Sequence, residues 1–159
     1  MRMNLKDVTF EVQGLLHAYV QTLDDEKYEE WPDFFTDGAL YKIIARDNYE
    51  RNLPLATLFC DGKAMMRDRV VAIRQAIVYP RSFLRHLVSA VTVARQEDDR
   101  YLVQSNYVVF STLYNEATKV FNAGKYLDEV VFVDGRPKFK KKVVVYDTLQ
   151  IPSLLVIPI

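Results

Sequence analysis

Val8, Val12, Leu15, Leu16, Tyr19, Val20 and Leu23 recur at the three-and-four spacing that lays one apolar stripe along a helix. The spacing predicts an amphipathic helix over the first 24 residues, with Asn4 as its N-cap and Asp7 opposing the positive helix end. Asp24-Asp25 ends the pattern. A second short helix follows, with Tyr28, Trp31 and Phe35 on one side and Pro32 interrupting its backbone ladder; Asp37-Gly38 closes it as a turn. Ala39–Arg46 alternates as a strand and Asp47–Pro54 reads as a polar loop. Helical spacing returns over Asp61–Ala76 through Ala64, Met65, Val70, Val71 and Ile73, and Tyr79-Pro80 stops it.

From Ser82 onward the alternation is that of strands. Phe83–Arg95, Tyr101–Leu113, Lys119–Val133 and Lys138–Asp147 are separated by Glu97-Asp98-Asp99, Asn115-Glu116-Ala117 and Asp134-Gly135. Asp-Gly between two apolar runs is the sharpest turn signal, because both central residues of the favoured hairpin turn need positive φ. Such short connections make the four runs an antiparallel meander, with Gly124 as a bulge or bend inside the third. The pattern is α+β: three N-terminal helices on one side of a curved antiparallel sheet, in one domain over residues 1–159. Within Tyr101–Leu113, both faces mix large apolar and small polar side chains, which points to a second face that meets another subunit or the chain's own loops.

Composition narrows the function. The 159 residues carry 21 Lys+Arg against 21 Asp+Glu, so no net charge favours general nucleic-acid binding. Cys60 is the one cysteine, which excludes an intramolecular disulfide and fits a reducing, cytoplasmic setting. The longest nearly apolar run, Ile151–Ile159, is far shorter than the roughly 20 residues of a membrane helix. With no charge along its length, it is expected to pack on its own domain or to complete an interface.

The candidate chemistry is sparse. A mononuclear iron site wants two histidines and a carboxylate, and a Rieske cluster wants two cysteines and two histidines. His17 and His86 are the two histidines; His17 lies off the apolar stripe and His86 points inward with Leu84 and Val88, so they are not expected to meet. Cys60, in Leu58-Phe59-Cys60, reads as a small buried hydrophobe. Acid–base chemistry is the strongest catalytic alternative: Tyr19, Tyr41, His86 and Tyr107 would line a cavity under a cone-shaped sheet, or else fill it as core. Arg67, Arg69 and Arg85 are surface ion-pair or subunit-contact candidates. Lys138-Phe139-Lys140-Lys141-Lys142 reads as protection of an exposed strand edge.

In order and spacing, these features resemble the small (β) subunit of aromatic-ring-hydroxylating dioxygenases, a family with the fold of nuclear transport factor 2 and ketosteroid isomerase. The resemblance rests on Trp31-Pro32-Asp33-Phe34-Phe35-Thr36, Met66-Arg67-Asp68-Arg69-Val70, Arg85-His86, Phe121-Asn122-Ala123-Gly124-Lys125-Tyr126, Val145-Tyr146-Asp147 and Ile157-Pro158-Ile159. The segment Arg46-Asp47-Asn48-Tyr49-Glu50 through Leu53-Pro54-Leu55 looks most like small subunits of systems acting on aromatic carboxylates: salicylate 5-hydroxylase, then the benzoate, anthranilate and terephthalate enzymes. The resemblance implies a large (α) partner that carries a Rieske [2Fe-2S] cluster and a mononuclear Fe(II), fed by a ferredoxin or reductase from NAD(P)H. It implies an α3β3 hexamer with the β trimer as stalk, no cofactor in this chain, and no catalytic residue here. Arg67, Arg69, Arg85, Ile157 and Ile159 are then the subunit-interface candidates. The alternative is a freestanding isomerase or dehydratase that pairs His86 with a tyrosine.

Overall fold

The computed structural model describes residues 3–75, 82–96, 98–148 and 157–159. Helix α1 spans Leu5–Asp24, and the Asn4 side chain accepts the Asp7 backbone N–H at 2.9 Å, satisfying one of the free donors at the helix start. All seven stripe residues are buried. A 3-10 segment, Tyr28–Phe34, buries Tyr28, Trp31 and Pro32. The remaining elements are β1 (Phe35–Ala45), α2 (Arg46–Glu50), β2 (Leu58–Asp61), α3 (Lys63–Gln75), β3 (Ser82–Arg95), β4 (Tyr101–Leu113), β5 (Lys119–Val133) and β6 (Arg136–Tyr146). Gly62, with φ of +92°, supplies the left-handed residue between β2 and α3.

Among the described residues, the strands form one six-stranded sheet in the order β2-β1-β6-β5-β4-β3. The meander β3–β6 is antiparallel throughout, and Asp134-Gly135 makes its last hairpin turn with φ values of 50° and 76°. The α+β class therefore stands, but the sheet is mixed: β1 runs parallel to β6. A parallel neighbour needs a long crossover, and α2, β2, α3 and most of the meander lie between these two strands. One consequence corrects the reading of the lysine run. β6 is a central strand between β1 and β5, so Lys138–Lys142 guard no edge.

Other departures are local. Asp37-Gly38 is no turn; it falls inside β1, where the register to β6 shifts between Phe35 and Leu40. The polar segment after β1 begins with the single-turn helix α2, and Leu58-Phe59-Cys60 belongs to a four-residue edge strand that pairs with β1. Gly124 is not a bulge. The ladder passes through it as Tyr107–Gly124–Tyr146, and the shifts fall instead between Val109 and Phe110 and between Glu129 and Val130. A Cβ on Gly124 would lie 1.9 Å from the Val145 carbonyl oxygen, so glycine is required by the close approach of β6. The Tyr79-Pro80 stop lies outside the described residues.

The inner face of the sheet, under α1, the 3-10 segment and α3, holds the core. Along β4 it buries Tyr101, Val103, Ser105, Tyr107 and Val109, while Leu102, Gln104 and Asn106 point outward and are exposed. Trp31, Tyr19, Tyr41, Tyr126, Phe35, Phe139 and Lys142 are the largest fully buried side chains.

Candidate functional site

Polar groups on the inner face fall into two clusters, set by strand register. At one end, Tyr41, Lys142, Asp128 and Val103 lie side by side across β1, β6, β5 and β4. At the other, Asn122, Val109 and His86 lie across β5, β4 and β3. Asp128 lies six positions along β5 from Asn122, about 20 Å along the strand.

The first cluster is built around a buried ion pair. Lys142 Nζ stands 3.0 Å from Asp128 Oδ2, and neither side chain touches solvent. Three rings close around the ammonium: its nitrogen is 3.6 Å from the centroid of Tyr126, 4.6 Å from Phe139 and 4.7 Å from Tyr19. The ring quadrupoles thus replace part of the hydration that the ammonium loses. Burial pushes the Asp128 carboxyl up to about 6 against the pull of Lys142, and it pushes the Lys142 ammonium down. Beside the pair, the Tyr41 hydroxyl donates to the Ile159 carbonyl at 2.9 Å and accepts the Ile159 N–H at 3.0 Å. The Tyr19 hydroxyl donates to the same carbonyl at 3.1 Å.

The second cluster centres on His86. Asp24, at the end of α1, clamps it twice: one carboxylate oxygen lies 2.6 Å from His86 Nδ1 and the other accepts the His86 backbone N–H at 3.0 Å. The clamp fixes the ring and leaves Nε2 buried with no partner. Across the row, the Tyr107 hydroxyl donates to Asn122 Oδ1, while Asn122 Nδ2 is buried without a partner. Tyr107 also stacks on Tyr126, with centroids 4.4 Å apart and planes 8° apart.

Tyr19, Tyr41, His86 and Tyr107 are therefore all buried on the inner face, but in two groups rather than one. Desolvation drives Tyr19, Tyr41, Tyr107 and Tyr126 well above the ordinary phenol value, so each acts as a neutral hydrogen-bonding group. His86 takes Asp24 as its partner, not a tyrosine. His17 is exposed on α1, far in role from His86, and burial raises the thiol of Cys60, which keeps the thiolate scarce. Among the described residues, no three His, Cys, Asp or Glu side chains come together to hold a metal ion, so those residues do not fit an iron centre.

Arg67 and Arg85 are exposed and Arg69 is half-buried. Ile157 packs against the core and Ile159 is fully buried within it. Ile159 therefore offers no surface, and the last described residues take the own-domain alternative. Asp24, Asn122, Tyr126, Asp128 and Lys142 are the polar members that sequence reasoning missed. Phase was the available signal, since Asn122, Tyr126 and Asp128 alternate with Gly124 and Val130 on one face of β5.

Residues 18–153 match the family model described as the ring hydroxylating beta subunit. The chain is 37% identical over 150 residues to the small subunit of anthranilate 1,2-dioxygenase from Burkholderia cepacia, covering 94% of this chain and 93% of that one. It is 28% identical over 142 residues to beta subunit 1 of the terminal oxygenase component of terephthalate 1,2-dioxygenase from Comamonas sp., covering 89% and 92%. Among solved structures, a chain assigned as the beta subunit of an aromatic-ring-hydroxylating dioxygenase from Novosphingobium aromaticivorans superposes with a TM-score of 0.88 at 38% identity, covering 97% of this chain and 98% of that one.

Proposed function

The chain belongs to the ring-hydroxylating beta-subunit family, and from that membership we propose that it is the structural, non-catalytic subunit of an oxygenase acting on an aromatic carboxylate. The substrate class rests on two relatives whose names specify anthranilate and terephthalate, both aromatic acids. The oxygenase subunit that this chain serves carries the chemistry: a Rieske cluster and a mononuclear iron in the large subunit supply electrons and O2 activation, fed from NAD(P)H through a reductase or ferredoxin. The assembly is α3β3 in the cytoplasm.

The observation that carries the structural role is the engagement of the inner face by the chain's own groups. The strongest charges, Lys142 and Asp128, neutralise one another inside an aromatic box, and Tyr19 and Tyr41 hold the Ile159 backbone. A rigid body with exposed apolar side chains on its outer face suits a stalk better than a moving catalyst. Leu87, Leu102 and Phe83 are 55%, 46% and 46% exposed there.

Co-expression with the large-subunit reading frame tests this. The expected result is a stable hetero-oligomer on sizing, with Rieske absorption borne by the large subunit, whose solubility and activity fall when this chain is omitted. A large subunit equally soluble and fully active alone would overturn it.

A further inference from the structure

The two polar clusters are not equivalent. At the ion-pair end, Lys142, Tyr19 and Tyr41 engage partners, and the atoms left unpaired there, Asp128 Oδ1 and Tyr126 Oη, belong to residues packed against the Lys142 ammonium. At the His86 end, two groups of opposite hydrogen-bonding sense are held in place and left open. Asp24 accepts from His86 Nδ1, and in the tautomer that carries its proton there Nε2 is a bare hydrogen-bond acceptor. Tyr107 occupies Asn122 Oδ1, which turns the amide so that Nδ2 is a free donor. Both atoms are closed off from solvent and without a partner. Buried polar groups are rarely left unpaired, because each one costs about 1–3 kcal/mol.

Their placement defines what would satisfy them. His86 and Asn122 flank Val109 in one cross-strand row, on the same face, about 10 Å apart at the backbone by strand spacing. Val109 between them is apolar and buried. An acceptor and a donor at either side of an apolar floor match a flat molecule with a hydroxyl at one end and a carbonyl at the other. The surrounding charge selects against anions. Asp24 is the carboxylate beside His86, and among the described residues the buried ammonium of this face, Lys142, lies at the other cluster and is paired with Asp128.

We propose that His86, clamped by Asp24, and Asn122, turned by Tyr107, form a binding site inside this chain for a small neutral aromatic molecule bearing a hydroxyl and a carbonyl group. The ligand hydroxyl donates to His86 Nε2 and its carbonyl accepts from Asn122 Nδ2. The site is separate from the substrate site proposed for the large subunit, and its selectivity is opposite. It takes the neutral carbonyl compound and rejects the carboxylate, so it stands or falls apart from the structural role.

The test uses the purified full chain and two probes of nearly one shape, 4-hydroxybenzaldehyde and 4-hydroxybenzoate. Titrations followed by calorimetry and by the ring nitrogen resonances of His86 should show saturable aldehyde binding, with the Nε2 resonance shifting as it accepts a hydrogen bond. The carboxylate should bind about tenfold more weakly or worse. His86→Phe and Asn122→Leu should each lose about tenfold in affinity for the aldehyde, with folding checked by circular dichroism. The wild-type resonance reports even if a variant fails to fold. An unshifted Nε2 resonance under saturating aldehyde, the outcome if water alone satisfies these groups, would overturn the proposal. So would equal affinity for the two probes.

Discussion

The two faces of the sheet solve opposite problems with the same strands. On the inner face, charge is removed from water and compensated: Lys142 and Asp128 have no exposure, and three aromatic rings stand within 5 Å of the ammonium. On the outer face, charged side chains keep part of their contact with water and apolar side chains are exposed beside them. There Glu129 meets Arg100 at 3.0 Å and Lys140 at 3.7 Å, on a surface shared with Leu87 and Leu102. A groove of about 440 Å³ also opens on this side, between Tyr49 of α2 and Leu102, Gln104, Leu127, Lys141 and Val143. The difference teaches where each kind of polar group contributes. Inner pairs hold the fold through the penalty for breaking them, whereas outer pairs are screened and contribute little.

Breaking one inner partner should have the largest effect. Lys142→Ala leaves the Asp128 carboxyl buried without its ion and should lower stability by about 3–5 kcal/mol in chemical unfolding. The paired replacement Lys142→Met with Asp128→Leu should recover most of that loss, since an apolar pair of similar volume leaves no charge uncompensated. If the double variant is as unstable as Lys142→Ala, the box depends on charge rather than on packing.

The next effect is read by pH. Asp128 moves from 3.8 as an ordinary carboxyl to about 6 in the fold, so the folded chain holds this proton more tightly. Its contribution is therefore fully present below about pH 4 and is lost as pH rises through about 6, a change on the order of 2–3 kcal/mol. Asp128→Asn has no such titration. The stability of wild type relative to Asp128→Asn should fall between pH 4 and pH 7 in urea unfolding. A pH-independent difference would mean that Lys142 holds the carboxylate charged throughout.

Much of this architecture was legible in the residues, and the failures share a cause. The α1 stripe, the Asn4 cap, α3 and the four meander strands announced themselves through long periodic patterns and a two-residue Asp-Gly turn. The inward direction of His86 followed from its phase with Leu84. The ion pair did not follow, because a bulge hides it. Counting back from the hairpin turn, Val133 faces Arg136 and Val131 faces Lys138, a register that would set Asp128 against Lys141. The ladder shifts between Glu129 and Val130, Lys140 becomes the extra residue, and Lys142 turns inward against Asp128. The parallel β1–β6 seam, the four-residue β2 and the Asp24–His86 contact were invisible for a related reason. Each depends on partners far apart in the chain, and no local period records such a pairing.

The smallest effect on stability belongs to the outer face, and it sharpens the comparison most. Leu87 sits on β3, at the end of the sheet opposite β2, with 55% of its surface exposed. In the isolated chain, Leu87→Ser exchanges an exposed methyl-rich side chain for a hydroxyl and should shift stability by less than about 1 kcal/mol. In the co-expressed assembly, the same change should shift sizing profiles toward smaller species, because an apolar side chain buried between subunits contributes there and not in the monomer. Stability lost in the isolated chain would place Leu87 in this chain's own core. An unaltered assembly would mean that this part of the outer face meets water, and the subunit contacts would then fall to Arg67 and Arg69 on α3.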